Sequence, residues 1–151
     1  MRRAVPALVV AALAALALLV GGAMAGGASS GDSPLGPGTV TVHLTIQHSR
    51  FSPDRVQVRP GTTVRFVVDN RDPIGHELII GDADVHLRHE SGTEAVHPPR
   101  PGEVSIAPRS SNETTFTFGD PGSVLFACHL PGHFAYGMSG YVNVVERAGG
   151  E

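Results

Sequence analysis

The feature that most constrains the fold of this chain is a recurring alternation of apolar and polar residues in short segments. From Val40 to Ile46 every second residue is apolar, which is the pattern of a strand with one buried face. Comparable segments follow, separated by turns rich in glycine and proline. They predict eight strands, at 39–46, 56–58, 64–68, 76–80, 104–107, 114–118, 123–128 and 140–145. Because no long amphipathic helix accompanies them, we expect an all-β domain, either a β-sandwich or a barrel.

Residues 1–25 form a segment of a different kind. Arg2 and Arg3 precede an apolar run at 4–20, and residues 23–25 (Ala-Met-Ala) are typical of the site at which an export signal is cleaved. The alternative is an uncleaved membrane anchor, which would tether the domain, because the run approaches the roughly 20 residues that cross a bilayer. Both alternatives predict that the domain works outside the cytoplasm, in the periplasm, at the cell surface or as a secreted protein.

Composition divides the rest of the chain into a linker, a domain and a short tail. Residues 26–38 are mainly Gly, Ser, Pro and Asp, and predict a flexible linker. The domain covers 39–146, and residues 147–151 form a C-terminal tail. Within the domain, residues 81–102 are rich in proline and histidine and lack periodicity. We therefore expect an excursion from the sheet after the fourth strand, with one short helical turn at 85–89.

The charge of the chain argues against a nucleic-acid partner. Its 11 basic residues, all of them arginine, face 14 acidic residues, so the formal net charge is −3. The basic residues form no cluster, whereas proteins that bind nucleic acids usually carry a basic patch. A mildly acidic surface of this kind serves solubility.

Three potential metal ligands lie close together near the C-terminus. Cys128, His133 and Met138 follow the spacing Cys-x4-His-x4-Met. Thiolate, imidazole and thioether are the soft and borderline donors that copper selects over harder ligands. Cys128 is the only cysteine, so it cannot form an internal disulfide, and a free thiol outside the cytoplasm would normally oxidise. Metal coordination explains its presence better than the alternative of a small buried hydrophobic residue.

A fourth donor is available from His76, which begins an apolar run. His76, Cys128 and His133 then supply the three strong ligands of a single type 1 copper ion, with Met138 as the weak axial ligand. Zinc also accepts cysteine and histidine, but a thioether is a poor zinc ligand, so the methionine favours copper. His129 follows the cysteine directly, and in a continuing strand its side chain would point away from the thiol. We therefore assign His133, and not His129, as the ligand.

The chain resembles the cupredoxins, the small blue-copper proteins that include plastocyanin, azurin, auracyanin and rusticyanin. The resemblance covers residues 39–146, and its strongest element is the run Phe-Ala-Cys-His-Leu-Pro-Gly-His at 126–133, continued to Met138 and the closing strand at 141–145. The x4/x4 loop spacing is more similar to that of auracyanin and rusticyanin than to that of plastocyanin. Membership implies a Greek-key β-sandwich, here of about eight strands, with copper held at one end.

Glu77 departs from the family pattern. Many cupredoxins have Asn or Ser directly after the first histidine ligand, where it supports the cysteine sulfur by hydrogen bonding. Contacts of that kind tune the metal, so a glutamate leaves the redox potential open. The alternative is that Glu77 faces solvent on an alternating strand.

The excursion at 81–102 carries three further histidines, His86, His89 and His97. If the first two lay on one helix, the i, i+3 spacing would place them on the same face, where they could bind a second metal. The commoner alternative is that such histidines are solvated loop residues. The sequence leaves both interpretations open.

The donor set and the resemblance predict an exported copper protein that carries single electrons between extracytoplasmic redox proteins. We expect a monomer without enzymatic activity, because the paired His-x-His motifs of multicopper oxidases are absent. Apolar residues beside His133, such as Phe134 and Tyr136, suit docking with the unidentified electron donor and acceptor, or simply shield the metal. The alternative is a copper-handling protein that buffers or delivers copper. A third interpretation, a module that keeps the fold without the metal, is disfavoured by the four intact donors.

Overall fold

A computed structural model describes residues 33–92, residue 96 and residues 98–146. The predicted export signal, the first part of the predicted linker, His97 and the predicted tail lie outside these residues. The last part of the predicted linker is attached to the domain, because Leu35 forms a bridge with Val58. The Leu35 amide also donates a hydrogen bond to the carbonyl of Gln57 at 2.9 Å.

The described residues form nine strands and one helix. In chain order they are β1 (Gly38–Ile46), β2 (Phe51–Ser52), β3 (Arg55–Val58), β4 (Thr62–Asn70), β5 (His76–Gly81), α1 (Ala83–Ser91), β6 (Glu103–Ile106), β7 (Ser111–Phe118), β8 (Gly122–Ala127) and β9 (Ser139–Val144). Eight strands correspond to predicted ones, and the all-β prediction is confirmed. The additional strand, β2, has only two residues and is too short to show an alternation.

The strands are arranged in two sheets, ordered β2-β1-β4-β7 and β3-β9-β8-β5-β6. Most neighbouring strands are antiparallel, but β1 runs parallel to β4, and β3 runs parallel to β9. Buried side chains from both sheets form a single hydrophobic core, so the architecture is a β-sandwich. Within that core Phe66 packs edge-on against Phe118, and Phe51 packs edge-on against Phe126.

The helix α1 is longer than the predicted turn, and it begins two residues earlier. Asp82 caps its N-terminus, accepting a hydrogen bond on Oδ1 from the amide of Val85 at 3.0 Å. Of the helix residues only His86 is buried. The sequence therefore lacks the apolar stripe that would have predicted the full length of the helix. Among the described residues, no helix is long and apolar enough to cross a membrane.

Strand β5 positions the predicted ligands. All six of its residues are buried, and the strand is an inner one, between β6 and β8. Because β5 and β8 are antiparallel, the first residue of β5, His76, lies at the same end of the sheet as Ala127, the last residue of β8. Cys128 follows directly, and a loop at 128–138 leads from there to β9. The fold therefore brings both segments to one end of the sandwich.

Candidate metal centre

Three of the four predicted ligands meet at this end of the sandwich. The donor atoms of His76, Cys128 and His133 all lie within 4.8 Å of one another. Nδ1 of His133 is 3.2 Å from Nδ1 of His76 and 3.2 Å from Sγ of Cys128. Two nitrogens that each lie about 2.0 Å from one metal ion are about 3.3 Å apart at the tetrahedral angle. The spacing and the mixed nitrogen and sulfur donors therefore fit a single copper ion.

The loop at 128–138 is held in shape by its own backbone hydrogen bonds. The amide of Cys128 donates to the carbonyl of Met138 at 3.1 Å, and the amide of Met138 donates to the carbonyl of His133 at 2.9 Å. Gly132 and Gly137 adopt φ values of 84° and 85°, a backbone conformation that residues other than glycine rarely adopt. These bonds bring the two ends of the loop together. The side chain of Met138 is fully buried, and its role as the axial ligand stays a prediction.

Asp72 orients the first histidine ligand. Its Oδ2 lies 3.0 Å from Nε2 of His76, so the histidine donates through Nε2 and keeps the lone pair on Nδ1, which faces the other donors. The carboxylate also accepts hydrogen bonds from the amides of His48 and Ser49, each at 2.8 Å. Burial raises the pKa of Asp72, but these amides and His76 outweigh it, so the pKa lies below its usual value. Asp72 therefore stays ionised beside the ligand.

Sequence reasoning did not identify Asp72 as part of the site. The signal that could have identified it is its position four residues before His76, in the segment 71–75 that connects β4 to β5. A carboxylate in such a segment is more often a solvated residue or a turn former. Only its burial and its contact with the histidine reveal the role.

Burial controls the protonation of Cys128. The thiol is fully buried, and this burial raises its pKa to about 11. Hydrogen bonds from the backbone amides of Glu77 and Leu130 act in the opposite direction without cancelling it. The sulfur is therefore a protonated thiol near neutral pH in the absence of a metal. A bound cation would displace the proton and use the thiolate as its ligand.

The alternative placement of Glu77 in solvent is wrong. The residue is only 2% exposed, and its Oε1 accepts a hydrogen bond from the backbone amide of His129 at 2.7 Å. The alternation fails because every residue of β5 is buried, irrespective of its position in the pattern. Glu77 thus ties β5 to the segment that carries the cysteine.

His129 lies outside the group of three donors. Its Nε2 is 2.8 Å from Nδ1 of His86 on α1, and its ring lies against Phe134 with centroids 4.9 Å apart. The structure therefore brings His133, and not His129, to the other two donors. Sequence reasoning paired His86 with His89, but the contact of 2.8 Å joins His86 to His129 across 43 residues.

Comparison with known proteins agrees with this geometry. The family described as copper binding proteins, plastocyanin/azurin family, matches residues 39–145. Copper-resistant cuproprotein CopI of Rubrivivax gelatinosus is 39% identical over 98 residues, which are 63% of this chain and 59% of that protein. The protein of the same name from Pseudomonas aeruginosa is 27% identical over 137 residues, covering 69% of this chain and 75% of that protein. This chain thus spans well under two thirds of the Rubrivivax relative.

Solved structures agree on the fold. Auracyanin from Roseiflexus castenholzii superimposes with a TM-score of 0.58 at 22% identity, covering 70% of this chain and 97% of that one. Auracyanin A from Chloroflexus aurantiacus gives a TM-score of 0.56 at 22% identity, covering 72% of this chain and all of that one. Because the family match covers most of the chain, this chain belongs to the plastocyanin/azurin family of copper-binding proteins.

Proposed function

We propose that this chain is an extracytoplasmic copper-handling protein, which holds one copper ion at His76, Cys128 and His133 and buffers or delivers it. The observation that carries the proposal is the meeting of one buried thiol and two imidazoles within 4.8 Å. Relatives named copper-resistant cuproprotein CopI support handling of the ion more than electron transfer. The export pattern at 1–25 supports a location outside the cytoplasm.

Each residue of the site has a different role in holding the ion. Asp72 fixes the ring of His76, so this ligand does not have to be ordered when the metal arrives. Cys128 gives up its proton and becomes the soft thiolate donor that selects copper. His133 lies half-buried on the loop, nearest to solvent of the three donors. Copper bound there would be available either for exchange with another ligand or for a change of oxidation state.

Electron carrying is the second candidate function. The observation that favours it is an exposed aromatic side chain beside the site: Tyr136, on the same loop as His133, is 79% exposed. Such a side chain suits short-lived docking with a redox protein. The two candidates differ in what must leave the protein, the copper ion or only an electron.

Copper tolerance in a cell tests the proposal. The full chain is expressed in a copper-sensitive bacterium that lacks its own related cuproprotein, and growth is measured over a range of copper concentrations. We expect the wild type to restore growth and Cys128→Ser to fail, with both proteins present at equal levels. His43→Ala, which changes an exposed histidine on β1, is the matched control and should behave as the wild type. Equal protection by Cys128→Ser would contradict the proposal.

Competition with a Cu(I) chelator separates the two candidates. A handling protein must release copper within the time of its task, so we expect transfer to the chelator within minutes. A carrier should retain the ion through repeated cycles of oxidation and reduction. Retention for hours, combined with fast electron self-exchange, would favour the carrier.

A further inference from the structure

We propose that His86 and His129 form a second copper site, built from imidazoles alone, with His89 as a third ligand. The pair lies beside the three-donor site but shares no side chain with it. The choice of copper as the metal rests on the proposed function, whereas the existence of the site rests on geometry. Imidazole nitrogens bind Cu(II) more tightly than other divalent ions of the series, including zinc.

The separation of the two nitrogens is the first argument. Nδ1 of His86 and Nε2 of His129 are 2.8 Å apart. Two nitrogens that each lie about 2.0 Å from one ion are about 2.8 Å apart when the angle at the metal is a right angle. Right angles between neighbouring ligands are typical of tetragonal Cu(II). The rings therefore need little rearrangement to accept the ion between them.

The hydrogen bonds around the pair leave both facing nitrogens able to bind. Nε2 of His86 lies 3.2 Å from the carbonyl of Leu125, so it carries the proton and leaves a lone pair on Nδ1. Nδ1 of His129 is buried and has no hydrogen-bond partner within the described part of the chain. Nδ1 of His86 therefore accepts a hydrogen bond from Nε2 of His129. Because Nδ1 of His129 has no partner there, a change of tautomer moves the proton to Nδ1 without breaking another hydrogen bond, and it frees the Nε2 lone pair for a metal.

Burial of His86 favours its neutral form. The side chain lies next to Leu125 of β8, and its burial lowers its pKa. Neutral imidazole is the form that binds metal ions.

His89 is placed to complete the site after a side-chain rotation. It follows His86 by three residues on α1, and its ring centroid is 6.4 Å from that of His129. Its Nε2 now lies 3.5 Å from Oε2 of Glu103. Arg100 also contacts this carboxylate, at 3.3 Å, so Glu103 keeps a cationic partner when the histidine turns away. We expect His89 to contribute less to affinity than the other two histidines.

The position of His129 explains what a second site would add. His129 is the neighbour of Cys128 in the chain, and Glu77 holds its amide, so both sites are attached to the same ordered backbone segment. Copper held by imidazoles alone exchanges without the loss of a thiol proton. A site of this kind would hold a second ion next to the three-donor site.

Copper titration of the full-length protein tests the site. In a Cys128→Ser/His133→Ala background, which removes two ligands of the first site, we expect one equivalent of Cu(II) with an imidazole-type electron paramagnetic resonance spectrum. Adding His86→Ala or His129→Ala should weaken this binding at least tenfold, as measured against a Cu(II) chelator. Adding His43→Ala, on the exposed face of β1, should leave it unchanged.

Two outcomes would overturn the proposal. Binding that persists in the His86→Ala protein, with an unchanged melting temperature, would mean that copper binds elsewhere. Binding that zinc displaces at equimolar concentration would mean that the site does not select copper. Neither outcome depends on copper tolerance in cells, so the second site and the proposed function fail independently. Retention of the thiolate band in the otherwise wild-type His86→Ala protein verifies that the first site is intact.

Discussion

At the scale of single residues, Asp72 links the metal centre to a surface turn. It accepts hydrogen bonds from the amides of His48 and Ser49, in the turn between β1 and β2, and one hydrogen bond from His76. A carboxylate that holds a histidine in this way fixes its orientation and raises its basicity as a ligand. The ligand is thus prepared before any metal binds.

Asp72→Asn should weaken both metal binding and folding. We expect copper affinity to fall about 10- to 100-fold, since the ring of His76 loses its anionic partner. The free energy of unfolding at pH 7 should fall by about 1–3 kcal/mol. Because the folded-state pKa of Asp72 is lowered, its contribution is present above the unfolded pKa and is lost as pH falls through the folded pKa. Chemical denaturation of both proteins at pH 7 and pH 3 should therefore show that the free energies of unfolding of the wild type and Asp72→Asn differ less at pH 3.

Asp69→Asn is the matched control for this substitution. Asp69 is a nearby carboxylate, about half-exposed and paired with Arg71, and ion pairs near the surface contribute little to stability. Its change should leave copper affinity within a factor of two. An equal loss of affinity in both variants would show that Asp72 acts through net charge and not through contact with His76.

The thiol of Cys128 makes copper binding depend on pH. Its pKa of about 11 means that a proton must leave for each ion bound, over the whole neutral range. Affinity should therefore rise with pH, by up to tenfold per unit from this group alone. Chelator competition between pH 6.5 and 8.5 should give a steeper slope for the wild type than for Cys128→Ser. Parallel slopes would mean that the thiol is already ionised or does not bind the ion.

The residues that the sequence did not predict share one property. The ligand types were identifiable because thiol, imidazole and thioether have few other reasons to occur at that spacing. The roles of Asp72, Glu77 and His129 depend instead on contacts across 4 to 52 residues of chain. Carboxylates and histidines are common on surfaces, so their identity alone predicts nothing.

At the scale of elements, the close packing of β8 against β9 supports the loop that carries the ligands. Gly140 on β9 pairs with Phe126 on β8. A Cβ atom at Gly140 would lie 2.3 Å from the ring of Phe126 and 2.4 Å from the carbonyl of Asp54. Only a glycine allows this approach, so the ring of Phe126 packs directly on the backbone of β9, close to the strand ends that lead to Cys128 and Met138.

Gly140→Ala should therefore destabilise the protein and distort the metal site. Overpacking of this kind typically costs about 1–3 kcal/mol, and the contact with a backbone carbonyl places this site at the upper end. Gly119→Ala is the control, since a Cβ atom there meets nothing within 4 Å. Thermal unfolding of both variants tests the difference. A stable Gly140→Ala protein with normal copper affinity would show that the loop does not depend on this packing.

Elements with a strong periodicity were predictable, and those without it were not. Long strands such as β1 and β4 alternate because one face of each is buried. Strand β2 is too short to show a pattern, so the sequence did not predict it. The helix α1 exposes most of its residues, so the sequence predicted only a shorter turn at 85–89. The chain pairs β1 with β4 and β3 with β9 in parallel. Alternation within a strand does not specify which strand it pairs with or in which direction.

At the scale of the whole molecule, the β-sandwich brings together metal ligands that are far apart in the sequence. His76 and Cys128 are brought to one end by the antiparallel pairing of β5 with β8, and the loop returns His133 to meet them. The resemblance to the cupredoxins predicted this arrangement, and the fold agrees with it.

A copper titration followed by absorption spectroscopy tests whether His76, Cys128 and His133 hold one copper ion. We expect an intense thiolate-to-copper band in the wild type that saturates at one equivalent per chain. His133→Ala should lose or strongly shift this band, and Cys128→Ser should lack it. His129→Ala should keep it, because His129 lies outside the three-donor group. A band that survives His133→Ala but disappears in His129→Ala would contradict this set of ligands.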